Sequence, residues 1–559
     1  MQYSQETPIR RFDSVYLNRT WRRVVTTMAL RLSAVFSICF LSASTASFAQ
    51  ITNVTNDQAV PTPGAGHDYI GTLNEIVNPS NGSLSLRIPI PAPAGRGITL
   101  PLTFSYDSSG IIQMGSDEVI TLVTGSNNSY MYTPKLGVGP HTDGGILEKG
   151  GWGLGLPSLS AELLNYPGNN TYGATCPLAT GFVFSDSAGT RHAMNLALPD
   201  STQCQSAGGV VAGYPYSFNA SAYDGSYAAW TNAASNPGVN DIQDMPFFVT
   251  GNDGTYYYFP NLLPGGEFPE GGCTGTMNCN LASYIEDRNG NMIHINSSTG
   301  STAPLPVNIV DTAGRTQVTI PTFGSSTGDQ IAVSGLSQPY VVNWETVPYN
   351  FSVPVTDLNG GAPGCVVATT QSTSGTMLVV KSIQLPNGQA YQFQYDPNYG
   401  LLNKIIYPSG GYVQYTWGPS TQPSDSILYP FISENSVGLN GCLATYNAPA
   451  ILTRTVSYDG VTKAQQQSFT YGTTGFSTTY LGQWTGKTTA VTTTDDVRNQ
   501  TFQTQYSYSP MSVAPTPDTV AIVAGQVPVE SAITYGDFNG KTLKTVTKFW
   551  AGSGNNPLL

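Results

Sequence analysis

Apolar and aromatic side chains recur at every second position along much of this chain. The alternation is plain in Ser83-Leu-Ser-Leu-Arg-Ile88, Tyr391-Gln-Phe-Gln-Tyr395, Ser468-Phe-Thr-Tyr471 and Gln505-Tyr-Ser-Tyr508. A period of two places those side chains on one face of an extended strand. Between such segments stand Asn81-Gly82, Asp253-Gly254, Asn289-Gly290, Asn359-Gly360, Asn387-Gly388, Asp459-Gly460 and Asn539-Gly540. Pairs of this kind reach positive φ readily and predict two-residue hairpin turns. Strands joined by hairpins run antiparallel. Past residue 49 no window keeps an apolar period of 3.6, and prolines interrupt most candidates. The expected fold is all-β, with antiparallel hairpins forming extended or curled sheets and very little helix.

The first 49 residues break this pattern. They hold six arginines (Arg10, Arg11, Arg19, Arg22, Arg23, Arg31), then the apolar run Leu32–Leu41, then small residues. That is the layout of a secretory signal, and a run of about ten residues is too short for the roughly 20 that span a membrane. Ser47-Phe48-Ala49 offers small side chains to a signal peptidase, so cleavage is expected between Ala49 and Gln50. Thirty-one residues before the apolar run are too many for such a signal, and Met28 is the better start.

The exported remainder, about 510 residues, is too long for one simple core, so two to four sub-domains or one long curled sheet are expected. Residues 50–68 read as an extended lead-in and 69–165 as a first β unit. Residues 166–350 form a β region with loop insertions, 351–375 a loop, and 376–559 a second run of regular hairpins.

Charge narrows the partners. The leader carries six of the 22 basic and two of the 34 acidic side chains, so its removal takes the formal charge from −12 to −16. Nucleic acid and anionic membranes are unsuited to such a surface, because binding them needs clustered Lys and Arg. Lys541, Lys544 and Lys548 are the only basic cluster and read as the solvated face of one strand. With 32 tyrosines and 10% charged residues, the composition favours folded β-structure over disorder.

Six cysteines follow the leader: Cys176, Cys204, Cys273, Cys279, Cys365 and Cys442. An even count in an oxidising compartment predicts disulfides. Pairing nearest neighbours joins 176 to 204, 273 to 279 and 365 to 442, one of 15 connectivities. A zinc site is the competing reading, but Cys273-x5-Cys279 has no second close pair and no nearby histidine.

Catalytic patterns are thin. His67, His141, His192 and His294 lie at least 51 residues apart and form no metal motif. Gly324-Ser-Ser326-Thr-Gly328 fits G-x-S-x-G, yet turn and strand, not helix, follow it, so a flexible loop is expected. Asp287-Arg-Asn289-Gly290-Asn291 opens like a calcium loop, but Ser298 stands where the closing acid belongs. Gly151-Trp-Gly-Leu-Gly155 lacks nucleotide-binding spacing. Neither a catalytic set nor a cofactor site is expected.

The most regular local unit is LPNGQAYQFQYDPNYGLLNKIIYPSGGYVQYTW, residues 385–417. Tyr395-Asp396 is followed by Gly400, Tyr407, Gly410 and Tyr415, with echoes at Tyr284–Asn291, Ile309–Arg315 and Ser457–Gly460. This resembles the tyrosine-aspartate (YD) repeat of RHS proteins. The segment Asn78–Ser108, with Gly150-Gly151-Trp152-Gly153, is similar to the head that precedes those repeats. The resemblance implies a large β-sheet wound into a shell, often around an effector, with a downstream RHS-type polypeptide as partner. The chain has no repeat-core segment after Leu543–Trp550, so a fragment or the first part of a split gene is expected. Two roles follow as expectations. One is a non-enzymatic secreted or surface scaffold serving containment, adhesion or assembly. The other is a secreted carbohydrate-binding or carbohydrate-cleaving β-protein, since exposed Trp and Tyr stack on sugars such as those of surface glycans.

Overall fold

Alternating stretches become strands throughout the described part of the chain, and among the described residues there is no helix. The computed structural model describes residues 74–91, 102–109, 111–122, 128–138, 147–167, 175–187, 191–194, 198–199, 219–221, 227–231, 246–260, 277–297, 306–357, 369–420, 425–431, 440–475, 484–512, 526–537, 539–553 and 556–558, plus a few single positions between 70 and 100. The leader, Met28, the Ala49-Gln50 cleavage site and the lead-in lie outside them.

Every pairing between these strands is antiparallel, as hairpin connections demand. The N-terminal head is a five-stranded sheet in the order Glu75–Val77, Leu84–Pro89, Thr103–Asp107, Trp152–Leu154 and Glu148–Lys149. A second sheet centres on Ser158–Pro167, flanked by Thr175–Ser185 and by Met277–Leu281. The expected first unit thus ends inside another sheet. The largest sheet has 22 strands, from Asn219–Ser221 to Thr542–Thr547, and its terminal strands do not meet, so it is not a closed barrel.

Two expectations need correction. The expected loop 351–375 is strand at both ends: Tyr340–Asp357 and Thr370–Gln384 pair antiparallel, and Phe351, Val353 and Val355 are in the core. Alternation through Phe351, Val353 and Val355 carries the strand past the polar residues between them, leaving only 358–368 outside the described residues. The hairpin turns also differ. At Leu385–Gln389 the Gly388 N–H donates to the Leu385 carbonyl and the Leu385 N–H to that of Gln389, a three-residue connection with Pro386 first and Gly388 at φ +84°. This is a type I turn closed by a glycine bulge, and it recurs at Gly251–Thr255, Asp287–Asn291, Asp311–Arg315, Tyr407–Gly411 and Asp537–Lys541. A two-residue type I′ turn would require the Asn or Asp at positive φ as well, and Asn499 is the single non-glycine there among the described residues.

One contiguous apolar core runs from Ile70 to Ile533. It exists because the head lies on the inner face of the long sheet. Phe104 meets Tyr340 at 5.9 Å between rings, and Trp152 meets Phe393 at 4.5 Å. The Leu402 N–H donates to the Tyr106 hydroxyl at 2.9 Å, the Ile451 N–H to the Gly82 carbonyl at 3.0 Å, and the Thr489 hydroxyl to the Pro79 carbonyl at 2.5 Å. These contacts reach from Tyr340–Asp357 to Gly486–Asp495, seven strand gaps or about 34 Å laid flat, against about 19 Å for the head's four gaps. The long sheet therefore bends around the head.

Candidate functional site

The YD residues sit where sheet and head meet. Tyr395, at the end of Ala390–Tyr395, donates its hydroxyl to the Val380 carbonyl at 2.5 Å and accepts the Trp152 indole N–H at 2.8 Å. Burial, with Tyr106 close by, pushes its pKa well up, so it stays a neutral donor. Asp396 caps the following turn: its carboxylate accepts the N–H groups of Asn398 and Tyr399, each at 2.9 Å, and its carbonyl accepts that of Gly400 at 2.8 Å. Tyr407 and Tyr415 point inward toward the head strand Glu75–Val77. Gly410, at φ +92°, closes the turn between them. The Tyr-Asp signature is thus structural here: its tyrosine fastens the head and its aspartate shapes the turn.

Beneath Tyr415 lies an ion pair that the sequence pattern did not reveal. Glu75 in the head accepts from the Arg454 guanidinium at 2.5 Å, and both side chains are essentially inaccessible. The Tyr415 hydroxyl donates to the same carboxylate at 3.2 Å, and Arg454 also donates to Gln467 at 2.9 Å. Burial works hardest against the Arg454 charge, but Glu75 beside it, together with Tyr415 and Tyr407, outweighs burial and lifts its pKa. A single arginine at an inward position of the strand Pro449–Ser457 was the available signal.

A second polar group lies between the head and the sheet centred on Ser158–Pro167. It surrounds a cavity of about 20 Å³ lined by Ser105, Glu148, Leu156, Ser158, Ser185 and Asp186. That is room for one water and no organic substrate. Arg87 is half-buried nearby; desolvation lowers its pKa, partly offset by Asp107, Asp186 and Glu148. His192 places Nε2 3.3 Å from Asp186, with its ring against Phe184 and Tyr227. Among the described residues no group of three or more His, Cys, Asp or Glu is placed to hold a metal.

The outer face of the long sheet carries a different feature. Trp230, Phe248, Tyr258, Tyr284 and His294 stand directly opposite one another on five adjacent strands. Their ring centroids are 4.0, 5.3, 4.8 and 6.1 Å apart in turn. The alternate residues Ala229, Val249, Tyr257, Ile285 and Ile293 fill the core on the other face. The segments YAAWT, FFVTG, YYYF and YIE each place a ring at the outward parity, and only the pairing register shows that the rings align.

The remaining sequence candidates divide. Cys204, Cys273 and Cys365 lie outside the described residues, one from each expected disulfide. Cys176 and Cys279 are on strands that flank Ser158–Pro167, opposite Tyr166 and Ser160, and Cys442 is opposite Tyr429. The G-x-S-x-G segment is a turn held by buried Asp329, which accepts from Thr322 at 2.6 Å, the Gly324 N–H at 2.8 Å and the Trp344 indole at 2.6 Å. Asp287 likewise spends its carboxylate on Asn289 and Asn291 of its own turn, while Ser298 lies outside the described residues. His67 and His141 lie outside as well. Lys548 departs from the expected solvated cluster, because it is largely buried in an ion pair with Glu530. No described helix is long and apolar enough to cross a membrane. No protein-family model matches the chain, and no curated protein is similar to it.

Proposed function

We propose that this chain is a non-enzymatic, exported scaffold of the RHS/YD-repeat type, the wall of a container or assembly built with a further polypeptide. The observation that carries this reading is the long open sheet bent around its own head, with Tyr395, Tyr415 and Arg454 committed to holding the two together. Such an arrangement spends its buried polar groups on architecture. The partner that fits is a downstream RHS-type polypeptide able to extend the sheet or an effector enclosed by it.

The test has two arms. The chain from Gln50 onward is purified and offered a panel of glycosidase, esterase, protease and phosphatase substrates. It is also co-expressed with the neighbouring reading frame and imaged by electron microscopy. Absence of turnover together with a stable joint particle is the expected result. Turnover abolished by Asp186→Asn or His192→Gln, in a variant that still folds, overturns the proposal.

A further inference from the structure

The strands Tyr256–Phe259 and Tyr284–Glu286 are neighbours in the long sheet, yet no tight turn joins them. Between them the chain contributes Met277–Leu281 to the second sheet, where it pairs with Ser158–Pro167, and only then returns. Three residue pairs hold the join: Tyr256↔Glu286, Tyr257↔Ile285 and Tyr258↔Tyr284. On its outer face the Tyr256 and Tyr284 hydroxyls are hydrogen-bonded to each other, with the ring centroids 6.1 Å apart and the rings inclined at 34°. Each phenol also stands across from a proton acceptor. Tyr256 is opposite the Glu286 carboxylate, and Tyr284 is opposite His294, whose ring centroid is 6.1 Å away. Cross-strand packing accounts for rings in contact. It does not call for two joined hydroxyls with a base beside each.

We propose that Tyr256 and Tyr284 are the site of a covalent dityrosine cross-link, made by a haem peroxidase with hydrogen peroxide, that braces this join. Both phenols stay protonated, each chiefly because it is desolvated, so each gives up a proton with its electron. Glu286 and His294 stand where those protons go. The two phenoxyl radicals carry spin at the carbons ortho to oxygen, and these carbons flank the shared hydrogen bond. A carbon–carbon bond forms between one ortho carbon of each ring. The hydrogen on each of those carbons then moves to its ring oxygen and restores the hydroxyl. Two phenols and one hydrogen peroxide thus give one linked pair and two waters. The partners are already side by side, so coupling within the chain outruns encounters between chains. Other close tyrosine pairs lack this geometry. Tyr227 and Tyr257 are also hydrogen-bonded, at 6.1 Å between rings, but they are inclined at 68° and Tyr257 lies in the core. Tyr391 and Tyr407 meet at 67° with Tyr407 buried. A link from 256 to 284 closes a loop in the unfolded chain and raises stability in the way a disulfide does. The proposal goes beyond the scaffold reading and does not depend on it.

The mature chain is treated with a haem peroxidase and substoichiometric hydrogen peroxide, and the monomer is recovered by gel filtration. After reduction, cleavage at Glu267 and Glu270 separates Tyr256 from Tyr284. The expected product is a pair of peptides joined at these two tyrosines with the loss of two hydrogens, showing the blue fluorescence of dityrosine. The linked monomer is expected to unfold at a higher urea midpoint. Tyr256→Phe and Tyr284→Phe are each expected to cut the fluorescence of the monomer at least fivefold and to remove the rise in midpoint. Tyr258→Phe is expected to keep the link. So is Tyr458→Phe, which removes a tyrosine 63% exposed elsewhere on the chain and should lower only the yield of linked dimers. Phenylalanine preserves each ring of the row, and circular dichroism checks that every variant is folded. The proposal is overturned if the monomer yields no dityrosine, if the Tyr284→Phe monomer fluoresces as the parent does, if the link maps to Tyr258, or if the linked monomer unfolds at an unchanged midpoint.

Discussion

Tyr395, Tyr407 and Tyr415 belong to the same kind of hairpin as Tyr256, Tyr258 and Tyr284, yet the two groups live in opposite environments. The first three face the head; Tyr407 and Tyr415 are buried by it and Tyr395 is partly covered, and two of them hydrogen-bond groups of the head hundreds of residues away. The second three line the outer face, half-buried against one another and within reach of solvent. Strand and turn chemistry are shared, so neither decides the outcome. Parity decides it. A tyrosine on the inward parity meets the head and becomes a structural donor, and one on the outward parity joins a row of rings. Where head and sheet meet, tyrosine serves cohesion with the head; where the sheet faces out, it packs against the rings of neighbouring strands.

Breaking the inner set has the largest expected consequence. Arg454→Met strands the Glu75 carboxylate in the core and is expected to cost about 3–5 kcal/mol, read as a fall in the urea midpoint. Glu75→Leu combined with Arg454→Met removes both charges and is expected to recover most of that loss. Failure of the double variant to recover would mean that the pair does more than cancel its own burial. Next in size, Tyr395→Phe leaves the Trp152 N–H and the Val380 carbonyl without the hydroxyl that joins them, at about 1–3 kcal/mol. Proteolysis should then cut first in the head, since that is the part the hydroxyl holds.

The outer set should respond weakly in stability. Trp230→Ala removes one stacked cross-strand pair and is expected to change the unfolding free energy by about 0.2–1 kcal/mol. A loss as large as that of Arg454→Met would place the row in the structural class and erase the contrast. The smallest effect is one of pH. Hydrogen bonds from Arg315, first its side chain and then its backbone, together with Gln317, hold the Asp311 carboxyl at about 2. An aspartate unfolded at about 3.9 and folded near 2 contributes stability that is complete above the first value and disappears as pH falls through the second. Urea midpoints should therefore decline between pH 4 and pH 2. Asp311→Asn should flatten part of that decline.

Much of the local structure was legible in the chain. Val413, Tyr415 and Trp417 announce a strand with one buried face, and that face is the buried one. Asp396 and Gly400 mark a turn, and a turn is there. The turn type was less accessible, because Asn-Gly suits both a two-residue turn and the glycine-bulge turn that the strands adopt. The ends of the segment 351–375 looked like loop because Ser, Thr and Gly dilute their alternation, while cross-strand pairing from Val353↔Gln371 back to Val341↔Gln384 makes both ends strand. Of the candidate sites, the YD residues were found as positions but not as fasteners, since Trp152 lies 243 residues from Tyr395. Glu75 and Arg454, 379 residues apart, carried no mutual signal at all.

By itself the sequence determined that this is an antiparallel β-protein of acidic character, whose strands and turns follow from period-two alternation and from glycine after Asn, Asp or Ser. Those properties depend on neighbours a few residues away, so they can be read along the chain. Tertiary structure decided that the long sheet bends around the head, that Arg454 finds Glu75, and that five rings from five strands fall into one outer row. Each of these rests on register and on burial between distant segments, where a shift of one residue would turn every side chain to the opposite face.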